Sequence, residues 1–209
     1  MSRVRVVIFA KAPQPGLAKT RLIPSLGAQG AADLAQRMLT HTLAQVLAAA
    51  VGPLELCVTP SAMDAAWRGI SVPEGIFWSD QGEGDLGARM ARAVQRVTSG
   101  GDAVLLIGTD CPALAAAHLR RAARALRHFD ATLIPTVDGG YVLLGLNRFD
   151  QSLFEHIEWS THRVAAATLK RLAQLGWTRQ NNAMLRDIDE PDDLRWLPDA
   201  WLKSVAHNL

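Results

Sequence analysis

Apolar residues in this chain fall into short runs separated by amphipathic stretches, and the two alternate along its length. Ala103 to Ile107 (AVLLI) is apolar at every position. It reads as a strand buried on both faces. Arg3 to Phe9 (RVRVVIF), Leu54 to Thr59, Ala131 to Pro135 and Tyr141 to Leu146 carry the same short, strand-like signature. Ile76 to Trp78 and Ala183 to Ile188 read as shorter strands. Between these runs lie segments rich in good helix formers, which predict helices over Ala28–Ala50, Leu86–Val97, Leu114–Arg127 and His162–Leu175. Gly52-Pro53 ends the first, and Ser160 or Thr161 is the expected N-cap of the last. Shorter helices are expected in Ser61–Arg68 and from Pro191 and Asp199. Alternating strands and helices predict a single α/β domain spanning residues 1–209, with helices flanking a mostly parallel sheet. The Tyr141 strand follows another strand directly and makes the sheet mixed.

Composition narrows the picture. With 49% hydrophobic and 20% charged residues, the chain has the make-up of a folded globular domain. No apolar run reaches the roughly 18 residues of a membrane span. The first apolar stretch, Val6 to Ala10, is stopped by Lys11, so a cytoplasmic protein is expected. Cys57 and Cys111 show no metal-ligand spacing. A net charge of +2 gives no footprint for nucleic acid. Lysine is scarce: there are four, and Lys11 and Lys19 stand close together near the N-terminus. Arg120, Arg121, Arg124 and Arg127 read as a solvated basic helix face.

Candidate chemistry sits where strands end, since ligands of such sheets bind beyond the strands' carboxyl ends. After the first strand, Ala10 to Gly27 reads as a long ordered loop, and its motif is FAKAPQPGLAKTRL (Phe9–Leu22). Lys11, Lys19 and Arg21 on it suit a polyphosphate, with Gly16 permitting a bend. Lys19-Thr20 lacks the glycines of a Walker loop. The Gly82–Gly87 stretch matches G-x-G-x-x-G but holds Glu83 and Asp85, which would repel a pyrophosphate. It is either a pocket wall carrying Arg89 or a turn opening a helix. GTDCPAL places Asp110 just past the strongest strand, either as a ligand for a hard cation or as a helix cap. Asp138-Gly139-Gly140-Tyr141 is either a hairpin turn or a substrate contact. Asp187 and Asp189 alternate on one face of an extended segment, as further metal ligands or as part of a helix-capping acidic run.

Taken in order, FAKAPQPGLAKTRL, GEGDLGARM, GTDCPAL, DGGYVLLGL, the IEWST segment with Trp159, and DIDEPDDL resemble a bacterial family of GT-A-like glycosyltransferases. Some of these are associated with radical-SAM/selenodomain proteins or arsenosugar biosynthesis. The chain is also similar to molybdenum-cofactor and phospholactate guanylyltransferases. The resemblance implies a nucleotide-diphospho-sugar transferase fold and a transferase dependent on Mg²⁺ or Mn²⁺. Its substrates would be a nucleotide-sugar and a small-molecule acceptor. Lys11, Gly16, Lys19 and Arg21 would hold phosphates, with Lys19 assisting the leaving group. Asp110 would hold the metal, joined by Asp187 or Asp189. Gly139, Gly140, Tyr141 and Trp159 would meet sugar or acceptor, and Asp138 would serve as an acceptor-side base in an inverting reaction. The classical D-x-D is absent, since Gly108 stands where its first acid belongs. That departure keeps two alternatives open: transfer of a nucleotidyl group from a nucleoside triphosphate, and a non-catalytic nucleotide-binding module.

Overall fold

The computed structural model describes residues 3–201. Seven strands form one sheet: β1 (Val4–Lys11), β2 (Leu54–Thr59), β3 (Phe77–Asp80), β4 (Ala103–Ile107), β5 (Ala131–Pro135), β6 (Tyr141–Leu146) and β7 (Arg179–Asn181). Their order across the sheet is β3-β2-β1-β4-β6-β5-β7. β6 pairs antiparallel with β4 and β5, and the other pairings are parallel. The fold is therefore the expected mixed, mostly parallel α/β sheet.

Four helices cover the sheet: α1 (Ile23–Ala49), α2 (Leu86–Ser99), α3 (Ala116–Ala125) and α4 (Val164–Gln174). Successive strand residues point to opposite faces, and the core divides accordingly. Val6, Ile8, Leu105 and Ile107 pack with Leu39, Leu43 and Val46 of α1 and Leu119 of α3. Val7, Val104 and Leu106 pack with Met90, Val94 and Val97 of α2 and Leu172 of α4. β4 is buried at all five positions, which is why its sequence is continuously apolar. No helix among the described residues is long and apolar enough to cross a membrane.

Differences from the sequence reading are local. α1 is broken at Gly27 (φ 68°, ψ 167°), so its regular part begins where the sequence placed it. The N-terminal loop closes earlier than expected, with a 3₁₀ turn over Thr20–Leu22. Neither Ser160 nor Thr161 caps α4. The N-cap is Arg163, while the Thr161 hydroxyl donates to the Glu158 carbonyl. The last strand is Arg179–Asn181, anchored where the Thr178 amide and hydroxyl donate to Asp130. Of Ala183–Ile188, Leu185 alone makes a β-bridge, to Thr136. Neither Asp110 nor a neighbour caps α3, whose N-cap is Ala115.

Candidate active site at the carboxyl edge of the sheet

The ends of β1, β4 and β5 and the start of β6 open into a cavity of about 550 Å³, a size that suits a nucleotide-sized ligand. Lys11 lines it from the end of β1, Lys19 and Arg21 from the N-terminal loop, Asp110 and Asp138 from just past strand ends, and Asp187 and Asp189 from a later extended segment. Leu86, Met90, Trp159 and Val164 supply an apolar wall.

The Asp187-Ile188-Asp189 segment reaches this edge through backbone contacts. Leu185 donates to the Pro135 carbonyl and accepts from the Val137 amide, which binds the segment along the end of β5. Three residues on, the Ile188 amide donates to the Asp110 carbonyl at 2.9 Å, so the segment crosses to the end of β4. Ile188 is 1% exposed and packs with Leu22, Leu26, Leu34 and Met38. In an extended segment, burying the middle residue turns its neighbours to the other side. That burial is worth about 2 kcal/mol and commits both aspartates to the cavity.

Asp138, Asp187 and Asp189 each bring a carboxylate oxygen within 4.8 Å of the others. Asp138 is held by a local turn: its Oδ1 accepts from the Thr136 hydroxyl at 2.5 Å and the Gly140 amide at 2.9 Å. Burial, reinforced by the charges of Asp138 and Asp189, pushes Asp187 up to about 6. Burial also raises Asp189, against the opposing pull of Lys19. Crowded, hard oxygen donors held at a cost to their ionised state fit Mg²⁺ or Mn²⁺.

Lys19 was expected to face phosphate. Instead its ammonium lies 2.5 Å from Asp110 Oδ1, 2.7 Å from Asp189 Oδ1 and 2.7 Å from the Ile188 carbonyl. An ammonium has three N–H donors, and these contacts use all of them. Its side chain is 7% exposed. Burial disfavours its charge, yet Asp110 and Asp189 outweigh that and raise its pKa above the ordinary lysine value. Asp110 is thereby committed to Lys19, and the carboxylate trio draws in Asp138, which the sequence cast as a base.

The other candidates divide. Lys11 and Arg21 line the cavity, and Arg21 also pairs with Glu190 at 3.2 Å. Gly140, Tyr141 and Trp159 line it too, although burial drives the Tyr141 phenol pKa upward and its hydroxyl lies 3.8 Å from Met90 Sδ. Gly16 is a loop bend (φ 79°) just before Leu17 and Ala18, which line the cavity, and does not itself line it. Gly139 (φ 91°) is required because a Cβ there would collide with the His162 backbone; it is a packing contact. Of the two readings of Arg89, the structure has the helix-opening turn: its Nε donates to the Gly84 carbonyl, beside an Asp85 that caps α2. Asp193, not Asp187 or Asp189, performs the capping in the acidic run, accepting from the Glu190 amide at 2.9 Å. Sequence reasoning missed Thr136 and Ile188. A Thr-x-Asp turn signal could have found the first, and nothing local distinguishes the second.

A seven-stranded mixed sheet with this order and with acids gathered over its carboxyl edge is a nucleotide-diphospho-sugar transferase fold. The chain belongs to the family DUF2064, described as an uncharacterized protein conserved in bacteria, whose model matches residues 42–161. That span holds Asp110 and Asp138; Lys19, Asp187 and Asp189 lie outside it. A candidate nucleotide-diphospho-sugar transferase from Desulfovibrio desulfuricans G20 is 26% identical, with a TM-score of 0.87 over 100% of this chain and 97% of that one. A nucleotidyl transferase from Methanothermobacter thermautotroptrophicus is 17% identical, with a TM-score of 0.59 over 98% and 100%. Rv0371c from Mycobacterium tuberculosis, solved in complex with manganese, is 19% identical, with a TM-score of 0.53 over 94% and 98%. No curated protein sequence matches the chain.

Proposed function

We propose that this protein is a divalent-cation-dependent transferase that takes a glycosyl group from a nucleotide-sugar to a small-molecule acceptor. The observation that carries this reading is the carboxylate trio Asp138, Asp187 and Asp189, set in a cavity that also presents Lys11 and Arg21. The similarity to the Desulfovibrio transferase supports it. Those three aspartates would hold Mg²⁺ or Mn²⁺, which supplies charge neutralisation for a departing nucleoside diphosphate. Lys11 and Arg21 bind the phosphates, because Lys19 spends its donors on Asp110, Asp189 and Ile188. Leu86, Met90, Trp159 and Val164 exclude water from one wall, which strengthens every charge contact beside it. Gly140 and Trp159 flank the acceptor side. Asp138 serves as a cation ligand in this reading.

One observation favours a second reading. Gly108 leaves a single acid after β4, as in the guanylyltransferases that the sequence resembles. Such an enzyme cleaves between the α- and β-phosphates and releases pyrophosphate.

Product chromatography separates the two. The protein is incubated with Mn²⁺ and small-molecule extract, with nucleotide-sugars in one tube and nucleoside triphosphates in another. Nucleoside diphosphate released from a nucleotide-sugar, and absent with Asp187→Asn, supports sugar transfer. Pyrophosphate with intact nucleotide-sugars selects the second reading. Binding without turnover in either tube identifies a nucleotide-binding module.

A further inference from the structure

We infer that Lys19 fills the place of a second divalent cation, so that the site takes one metal ion where its four aspartates would otherwise hold two. The inference rests on the cation-dependent reading above. The Lys19 ammonium is enclosed by two carboxylate oxygens and a backbone carbonyl, those of Asp110, Asp189 and Ile188, at 2.5–2.7 Å. That is a hard, all-oxygen donor set of the kind Mg²⁺ and Mn²⁺ select. Asp189 belongs both to this cage and to the trio with Asp138 and Asp187. One carboxylate thus faces two adjoining cation positions, the arrangement of two-metal sites, whose ions lie about 3.5–4 Å apart. Here one of the positions is taken by a tethered cation.

The tether is built for the purpose. Lys19 stands in the left-handed backbone region (φ 47°, ψ 45°), which residues other than glycine rarely enter. Leu22, three residues on, is wholly buried in the same cluster as Ile188, so both sides of the cage are anchored to one piece of core. The ammonium is almost shut off from solvent and spends all its donors. A surface ion pair has none of these features. A lysine here neutralises Asp110 with one charge where a metal would bring two, which keeps the remaining acids negative enough to attract a single ion.

The test is metal stoichiometry, read by native mass spectrometry and by electron paramagnetic resonance with MnCl₂ as the probe. The wild-type chain is expected to bind one Mn²⁺ with the six-line signal of an isolated ion. Lys19→Met is expected to bind two, with the broadened signal of a coupled pair. The double variant Lys19→Met/Asp110→Asn is expected to return to one. One ion in both wild type and Lys19→Met overturns the inference while leaving the metal reading intact. Two ions in wild type also overturn it. No ion in wild type overturns the metal reading and the inference with it. If Lys19→Met folds only with metal present, it is refolded in MnCl₂ and the retained ions are counted. Two then support the inference, and one or none refute it.

Discussion

Acids stand at both ends of the sheet, one buried and the others half-buried or exposed, and the protein treats them oppositely. Near the amino ends of the strands, Glu55 of β2 is 2% exposed. Arg96 grips both its oxygens, at 2.6 and 2.9 Å, the Ser79 hydroxyl donates to it at 2.6 Å, and Arg5 stands 3.6 Å away. Burial opposes its charge, but these donors prevail and hold its pKa below the ordinary glutamate value. At the carboxyl ends, Asp187 and Asp189 are half-buried, and that burial, with the charges of Asp138 and Asp110 beside them, raises their pKa values. One lysine serves two of the four acids. A buried carboxylate with its cations supplied is structural. A group of them left short of positive charge stores free energy that a bound cation releases.

The largest expected effect comes from breaking the satisfied site. Arg96→Met leaves Glu55 with Ser79 and the looser ion pair to Arg5, and should cost about 3 kcal/mol of stability in urea unfolding. A loss below about 1 kcal/mol would mean that Arg5 and Ser79 suffice, and the contrast would weaken. Next comes completing the unsatisfied site. MnCl₂ at one hundred times its Kd should stabilise the wild type by about 2.7 kcal/mol, seen as a higher Tm, and should do little for Asp187→Asn. Equal shifts in both proteins would place the ion elsewhere.

Smaller is the effect of relieving repulsion without metal. Asp187→Asn should raise the stability of the metal-free protein near pH 7.5 by about 1–2 kcal/mol. This is less than the shift to about 6 implies, because the group is partly exposed and screened. Unchanged or lower stability would show that the acids are already balanced.

The subtlest test is pH. A carboxyl whose folded pKa is raised costs stability above that pKa, and the cost fades as pH falls. The metal-free protein should therefore gain stability between about pH 7 and pH 5, and Asp187→Asn should lose this slope. A carboxyl whose folded pKa is lowered contributes stability above its unfolded value. Glu55's contribution should drain away as pH drops below about 4.5, a loss that Arg96→Met diminishes. Chemical denaturation across about pH 2–8 reads both slopes, and parallel curves for wild type and variants would defeat the comparison.

Much of the site's raw material was legible in the chain. β4 announced itself through five consecutive apolar residues, and that alone put Asp110 at the ligand edge. The alternation of Asp187 and Asp189 correctly put them on one face. The strand around them was misplaced, because β7 is the polar Arg-Gln-Asn, held to the sheet edge by backbone pairing and by Asp130. Such a strand leaves no apolar period to read. The two readings of Arg89 stayed open because charge is visible in sequence and direction is not.

The sequence by itself determined the apolar strands, the helices and the faces they bury, though not the polar edge strand β7, because alternation and helical period are set by neighbours a few residues apart. It also placed Asp110 and Asp138 just past strand ends. Tertiary structure alone decided which charge meets which. Lys19 and Asp189 are 170 residues apart, and their contact exists because Leu22 and Ile188 share one apolar cluster. Coulomb energy depends on distance in space and on the water excluded between the groups, and neither quantity is written in the order of the residues.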